Sequence, residues 1–164
     1  MKQDPLLFVI MSRRKTTDYV AVFKEMLRIL VKELGLRTAY TRQIVIRGQI
    51  RQLMALPNLP AAHIPPAFEK LKATCGHCPQ LTALTKYLSK TWVFSTSRPP
   101  ASWTTFKRSI RLVAHRRLYR HQTKVFKSRQ EALQEMWCQY EQTERMSTSE
   151  YLRRCSDLVD IFED

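Results

Sequence analysis

Two cysteines separated by two residues have the most obvious chemical potential in the sequence. Cys75-Gly76-His77-Cys78 has the spacing of a redox-active dithiol or of half a zinc site. Dithiol chemistry needs a strand that delivers the first cysteine to a helix N-terminus, where the thiol pKa falls, but a predicted helix precedes this motif and Pro79 follows it. A zinc site needs two more ligands, and no second paired spacing of cysteine or histidine occurs. We interpret the motif as a loop with unpaired thiols, and we expect neither a metal ion nor a cofactor.

A run of positively charged residues is the other feature that could bind a ligand. No acidic residue occurs between Lys107 and Arg129. If this segment is helical, several cations lie opposite an apolar stripe that runs from Leu118 to Tyr140. Such a helix can pack its apolar side on a core and lay its charged side along phosphates; the alternative is a solvated helix face. The predicted nucleic-acid-binding residues, called the basic cluster below, are Arg108, Arg111, Arg116, Arg117, Arg120, Lys124 and Lys127.

Charge is unevenly distributed along the chain, whose net charge is +14. Residues 131–164 contain nine of the 14 acidic side chains but only three of the 28 basic ones. The basic part attracts polyanions, and the acidic part could fold back on it or bind another partner. DNA or RNA is therefore one expected partner.

Most of the elements that would position these residues have the periodicity of helices. Apolar residues recur every three or four positions from Thr16 to Gly35, and glycine is a typical stop residue. A second helix is predicted from Thr38 to Ala55, although Ile44-Val45-Ile46 leaves a strand open as an alternative. Leu6 to Met11, a short and continuously apolar run, is the one predicted strand.

Prolines divide the middle of the chain. Pro57 and Pro60 predict a corner, and Pro65-Pro66 suits the first turn of a short helix. Another short helix around Leu84 leads to Trp92. Because residues 95–102 resemble a linker, the sequence divides into the predicted units 1–94, 95–102 and 103–164.

The last third of the chain predicts long helices. Residues 103–146 contain neither glycine nor proline, but the apolar face changes side near Ala114 to Arg117, which predicts a break there. Ser147 and Glu150 have the spacing of a capping box and predict the start of a last helix, with Phe162 among its apolar residues.

Four aromatic residues could stack on nucleic-acid bases, but each has apolar neighbours at helical spacing, which favours core packing. They are Trp92, Trp103, Trp137 and Tyr140.

No apolar stretch approaches the roughly 18 residues of a membrane span, and the apolar run near the N-terminus is too short for a secretory signal. We therefore expect no membrane partner and an intracellular protein, in the nucleus rather than the cytoplasm.

Several blocks of the sequence, in order, are similar to Mutator-like (MULE-type) transposases. Their residue ranges are 5–24 (PLLFVIMSRRKTTDYVAVFK), 34–40 (LGLRTAY), 50–71 (IRQLMALPNLPAAHIPPAFEKL), 99–106 (PPASWTTF), 116–122 (RRLYRHQ), 133–140 (LQEMWCQY) and 147–156 (STSEYLRRCS). The similarity that begins in 50–71 continues through Tyr87 to Thr91-Trp92 and on to 99–106, so that together the blocks cover most of the chain.

The sequence departs from this family in the segments that contain the catalytic residues. The family's segment with a second catalytic Asp would lie between Glu33 and Leu34, and its catalytic Glu would follow Phe106, but both segments are missing. The first catalytic Asp would lie upstream of Met1. Transposases of this type use these three carboxylates to hold two divalent metal ions, so the resemblance implies a protein that is not an enzyme. Asp18 lies at a predicted helix start, where a carboxylate favours the helix dipole.

The resemblance implies a mainly α fold: a small helical domain with one short N-terminal strand and long C-terminal helices, the remnant of a ribonuclease H-like domain. The strand would have lost its neighbours, so a second copy or another protein is expected to cover it. The leading hypothesis is a catalytically inactive, transposase-derived protein that binds DNA non-specifically through the basic cluster. The alternatives are a helical protein-interaction module and a chain with no selected function.

Overall fold

The protein is mainly helical, as the sequence predicted. The computed structural model describes residues 16–76, 78–106, 122–142 and 146–159, and of residues 16–18, 122–127, 130 and 142 it describes the backbone alone. The eight α-helices of this part of the chain are Thr16–Glu33 (α1), Arg37–Arg42 (α2), Ile44–Ala55 (α3), Ile64–Thr74 (α4), Pro79–Leu88 (α5), Pro100–Trp103 (α6), Gln122–Gln142 (α7) and Thr148–Ser156 (α8). The predicted strand, Leu6 to Met11, lies outside the described residues.

Helix α1 ends as its sequence predicted. Gly35 has a φ of +68°, a left-handed conformation that glycine adopts without strain. The Gly35 amide donates to the Lys32 carbonyl at 3.0 Å and the Leu36 amide donates to the Val31 carbonyl at 2.9 Å. This pair of bonds is the Schellman motif, and it satisfies carbonyls that the end of a helix leaves open.

The single helix predicted from Thr38 to Ala55 is wrong, because Gln43 separates α2 from α3. Its backbone is extended, with φ −114° and ψ 109°. Arg47 stabilises the break: its guanidinium donates to the carbonyl oxygens of Tyr40, at 3.0 Å, and of Thr41. The strand alternative for Ile44-Val45-Ile46 is also wrong, since these residues form the first turn of α3.

The predicted corner and short helices are confirmed. The residues after α3 form two 3₁₀ turns, Leu56–Asn58 and Ala61–His63, and α4 then starts with Pro65 and Pro66 in its first turn. A π-helical turn, Ser89–Val93, continues α5 and directs Trp92 inward.

Aromatic side chains form the centre of the core. The Phe23 ring centroid is 5.0 Å from that of Trp92 and 5.3 Å from that of Trp103, and Trp92 and Trp103 are 6.0 Å apart. Because Trp103 is fully buried, the chain after residues 95–102 returns to the same core as α1. Apolar residues of α1, α3, α4 and α5 surround these rings.

Helix α8 packs on α3 and begins with the predicted capping box. The Ser147 hydroxyl accepts a hydrogen bond from the Glu150 amide at 3.2 Å. At the other end of α8, the Arg51 guanidinium donates to the carbonyl oxygens of Val159 at 2.6 Å and of Asp157 at 3.0 Å. The helix stops at Ser156, and Phe162 lies outside the described residues.

None of the helices in the described ranges is long and apolar enough to cross a lipid bilayer.

Candidate nucleic-acid interface

Most of the basic cluster lies outside the described residues. Residues 107–121, which include the predicted break near Ala114 to Arg117, are not described, and of Lys124 and Lys127 only the backbone, within α7, is described. The cluster members in the first group are Arg108, Arg111, Arg116, Arg117 and Arg120. The elements at the two ends of segment 107–121 therefore define how it is attached.

The N-terminal end of this segment is fixed by two buried threonines. The Thr105 amide and hydroxyl donate to the Pro57 carbonyl at 2.6 Å and 3.0 Å, and the Thr104 hydroxyl is 2.5 Å from the Leu59 carbonyl. The Phe106 ring then packs 5.9 Å from the Trp137 ring. Phe106, the last described residue before segment 107–121, thus packs against the core.

At its other end, the segment leads into α7, which rests on the core along one side. Trp137 is buried, and Leu133, Met136 and Tyr140 are partly buried against the core. The Tyr140 hydroxyl lies 2.8 Å from His63 Nδ1 and 3.0 Å from the Thr148 hydroxyl. These contacts confirm the predicted apolar side of α7 for the described residues.

Charge along α7 is arranged against the helix dipole. Its first turn contains no acidic residue and its last turn no basic one. Cations are concentrated near the N-terminal end, where Arg129 is exposed, while Glu131, Glu135 and Glu141 are exposed further along. Helix N-termini attract anions, and a charge at the wrong end costs up to about 1 kcal/mol at low salt. An anion bound near the start of α7 would offset this cost.

Arg129 in α7 also affects the titration of a lysine in α1. Lys24 has a lowered pKa, firstly because neighbouring protein atoms desolvate its ammonium group and secondly because of the positive charge of Arg129. The positive charge of Arg129 thus contributes, after desolvation, to the lowered pKa of Lys24.

Several arginines outside the cluster have structural roles. Arg47 and Arg51 donate to helix-terminal carbonyl oxygens, and the Arg98 guanidinium lies 5.2 Å from the centre of the Trp92 ring. Arg153 and Arg154 both bind Glu150 at 3.0 Å, which lowers the pKa of that carboxyl group. Net charge therefore overstates the number of cations available to a polyanion.

The cysteine motif has the wrong geometry for dithiol chemistry. Cys75 is buried at the C-terminal end of α4, and burial raises its pKa. Cys78, not Cys75, precedes the N-terminus of α5, and its thiol is 3.2 Å from Gln80 Oε1. A reactive dithiol needs a lowered pKa on the attacking cysteine. All four cysteines are free thiols, and His77 lies outside the described residues.

The aromatic residues considered for base stacking belong to the core. Trp92, Trp103 and Trp137 are at most 5% exposed, which confirms the packing interpretation. Sequence reasoning missed the large apolar side chains that are exposed: Ile44 at 82%, Val45 at 72% and Phe94 at 53%. Helical periodicity could have found the first two, because Ile46, Ile50 and Leu53 define a different face of α3.

Within the described ranges, no three side chains of His, Cys, Asp or Glu come together as a possible metal site. Asp18 lies in the first turn of α1, where only the backbone is described. Comparisons of this chain with models of known protein families, with curated proteins and with solved structures found no match.

Proposed function

We propose that this is a catalytically inactive, transposase-derived protein that binds nucleic acid non-specifically through the basic cluster. The observation that carries the proposal is the attachment of α7. Its apolar side packs on the core, and its N-terminal end, which has the positive pole of the dipole, follows directly from the cationic segment 107–121. Backbone dipole and side-chain charge therefore favour the same ligand, a polyanion.

Phosphate groups along a nucleic-acid backbone would neutralise cations of the basic cluster without reading a base sequence. Because the aromatic candidates are in the core, base stacking has no described side chains to use at this end of the molecule. Binding is therefore expected to depend on salt and to tolerate any sequence.

Charge reversal tests the proposal. In the variant Arg116→Glu/Arg117→Glu/Arg120→Glu/Lys124→Glu, retention on immobilised duplex DNA in a salt gradient should be lost. The slope of log affinity against log salt is expected to be about −4.5 in the unmodified protein, by the roughly 0.9 per phosphate contact expected for five contacts on duplex DNA.

A matched control carries the same change of net charge elsewhere. Lys32, Lys70, Lys86 and Lys90 are exposed on other helices and can be replaced by Glu together. This control should retain most of the affinity. Equal losses of DNA affinity in both variants would mean that net charge alone determines binding. Unchanged elution of the first variant would favour the alternative function, a helical protein-interaction module.

The absence of catalysis is a separate part of the proposal, and it rests on the missing carboxylates of the family pattern. A nicking assay on supercoiled plasmid with Mg²⁺ or Mn²⁺ should show no cleavage. Plasmid cleavage that copurifies with the protein and persists in Asp18→Ala would contradict this part of the proposal. The cleavage would have to disappear in a heat-denatured sample and in a mock purification.

A further inference from the structure

The first half of α3 presents an apolar surface to solvent. Ile44 is 82% exposed and Val45 is 72% exposed, whereas Ile46 and Ile50, on the opposite side of the helix, are buried in the core. At 3.6 residues per turn, Gly48 falls between Ile44 and Val45 around the helix axis. Ile44, Val45 and Gly48 together are called the α3 patch below.

Gly48 leaves a gap in the α3 patch. A Cβ atom at this position would meet no other atom of the described residues within 4 Å, so packing within the chain does not exclude a side chain there. Gly48 lies inside α3, where glycine is less favourable than alanine. A glycine at such a point lets another chain approach the helix backbone closely. The patch can therefore accept a side chain of a partner beside Ile44 and Val45.

Positive charge lies next to the α3 patch. Residues 34–68 contain four arginines and no acidic residue. Arg42 is exposed in the last turn of α2. Arg47 donates to the Tyr40 carbonyl oxygen at 3.0 Å, a bond that fixes the guanidinium without cancelling its charge. The first turn of α3 contains no acidic residue and has the positive pole of the helix dipole.

Apolar exposure and positive charge together select one class of partner. A second copy would bring the same arginines close to each other across a symmetric contact, which is unfavourable. A nucleic-acid backbone would pair with the arginines but would place phosphates against two aliphatic side chains. Two aliphatic side chains also bury too little area for stable insertion into lipid. A peptide helix with apolar residues on one side and carboxylates beside them satisfies both requirements.

We propose that the α3 patch binds an acidic amphipathic helix of another protein. An apolar side chain of that helix packs over Gly48 beside Ile44 and Val45, and its carboxylates pair with Arg42 and Arg47. This inference goes beyond the proposed nucleic-acid function and does not depend on it, because no residue of the basic cluster takes part.

A synthetic peptide tests the proposal. The probe has about 18 residues, or roughly five helical turns, with Leu on one side of the helix and Asp and Glu elsewhere. The control peptide has the same composition in an order that distributes Leu around the helix. Both are titrated into the full chain and into its variant with charge reversals at Arg116, Arg117, Arg120 and Lys124, which removes non-specific attraction to the basic cluster.

Methyl NMR locates the binding site of the probe. In both proteins the probe should shift the methyl resonances of Ile44 and Val45, while the Ile50 methyl, which is fully buried in the same helix, serves as the folding control and stays in place. The control peptide should bind about 10-fold more weakly, because it cannot bury its apolar residues together.

Substitutions in the patch measure its contribution to the affinity. Ile44→Gln/Val45→Gln changes no charge and should weaken binding of the probe about 10-fold. Gly48→Gln should weaken it without destabilising α3, because glutamine favours a helix more than glycine does and its Cβ position is open. Ala83→Gln, at an exposed position of α5, is the matched control and should leave the affinity unchanged.

Equal binding of the two peptides, or unchanged binding of the probe by Ile44→Gln/Val45→Gln, would overturn the proposal, because net charge would then account for the affinity. Shifts of Ile44 and Val45 that appear without peptide as the protein concentration rises would also overturn it and identify a second copy as the occupant. Shifts that appear with a duplex oligonucleotide but not with the probe would overturn it and assign the patch to nucleic acid.

Discussion

Helices α8 and α7 both come from the last third of the chain, but they are attached to the core in different ways. Helix α8 buries Tyr151, Leu152 and Cys155, and Arg51 closes its C-terminal end. Helix α7 is more than twice as long but has Trp137 as its one buried large side chain in the described part. The difference indicates that α8 is part of the core, whereas α7 lies against it.

The two helices also differ in the hydrogen bonding of their buried aromatic residues. The Tyr151 hydroxyl has a good acceptor in the Asn58 carbonyl. Trp137 Nε1 is buried near that hydroxyl without a hydrogen bond of good geometry. A buried donor without a partner costs free energy, so the attachment of α7 is weaker than its buried area suggests.

The largest expected loss of stability follows from a substitution in α8. Tyr151→Ala removes a fully buried ring and should lower the free energy of unfolding by about 4 kcal/mol, by analogy with other aromatic-to-alanine changes in cores. Tyr140→Ala, on the partly exposed side of α7, should cost about half as much. Urea denaturation followed by circular dichroism measures both, and equal losses would remove the distinction between the two helices.

Alkaline pH should loosen α8 before α7. Burial raises the pKa of Cys155 from 9.0 to about 11, so between these pH values the unfolded chain loses a proton that the folded chain retains. Stability therefore falls as pH rises through this window, by about 3 kcal/mol in total. Burial also raises the pKa of Tyr151, which extends the loss to higher pH. In Cys155→Ala the decline between pH 9 and 11 should be smaller; an unchanged decline would assign it to other groups.

Arg51 should contribute more to the free energy of unfolding than Arg42 does. Arg51→Met removes two charged donors to the carbonyl oxygens of Asp157 and Val159, just beyond α8, and should cost about 2 kcal/mol, as expected for hydrogen bonds to a charged group. Arg42→Met is the matched control and should change stability by less than about 0.5 kcal/mol, the usual range for exposed positions. Thermal unfolding of the two variants compares them directly.

The smallest change in the free energy of unfolding is expected when Trp137 is replaced. Trp137→Phe keeps an aromatic ring beside Phe106 and removes the unsatisfied N–H, so the loss of volume and the gain from removing that group should nearly cancel, within about 0.5 kcal/mol. A loss of more than about 2 kcal/mol would mean that the indole nitrogen does have a partner in solution.

Local signals predicted the fold well where the stabilising contact is itself local. Gly35 ends α1, Pro65 and Pro66 start α4, and Ser147 caps α8, and each acts within a few residues of its own position. Hydrophobic periodicity likewise identified the buried sides of α3 and α7.

The remaining features depend on contacts between distant residues. The break at Gln43 depends on Arg47 reaching back to α2, and the end of α8 depends on Arg51, which is 108 residues away in sequence from Val159. Counting arginines could not separate these structural roles from the basic cluster. The cluster itself stays a prediction, because its side chains lie outside the described residues.

The hydrogen bonds that the Pro57 carbonyl accepts influence the order in which the protein folds. Its oxygen accepts from both the amide and the hydroxyl of Thr105, a partner 48 residues away in sequence. Closing so long a loop costs conformational entropy before any contact rewards it. The return of Trp103 to Phe23 and Trp92 is therefore expected to be a late step, and until it occurs their rings are open to solvent and to association with other incomplete chains.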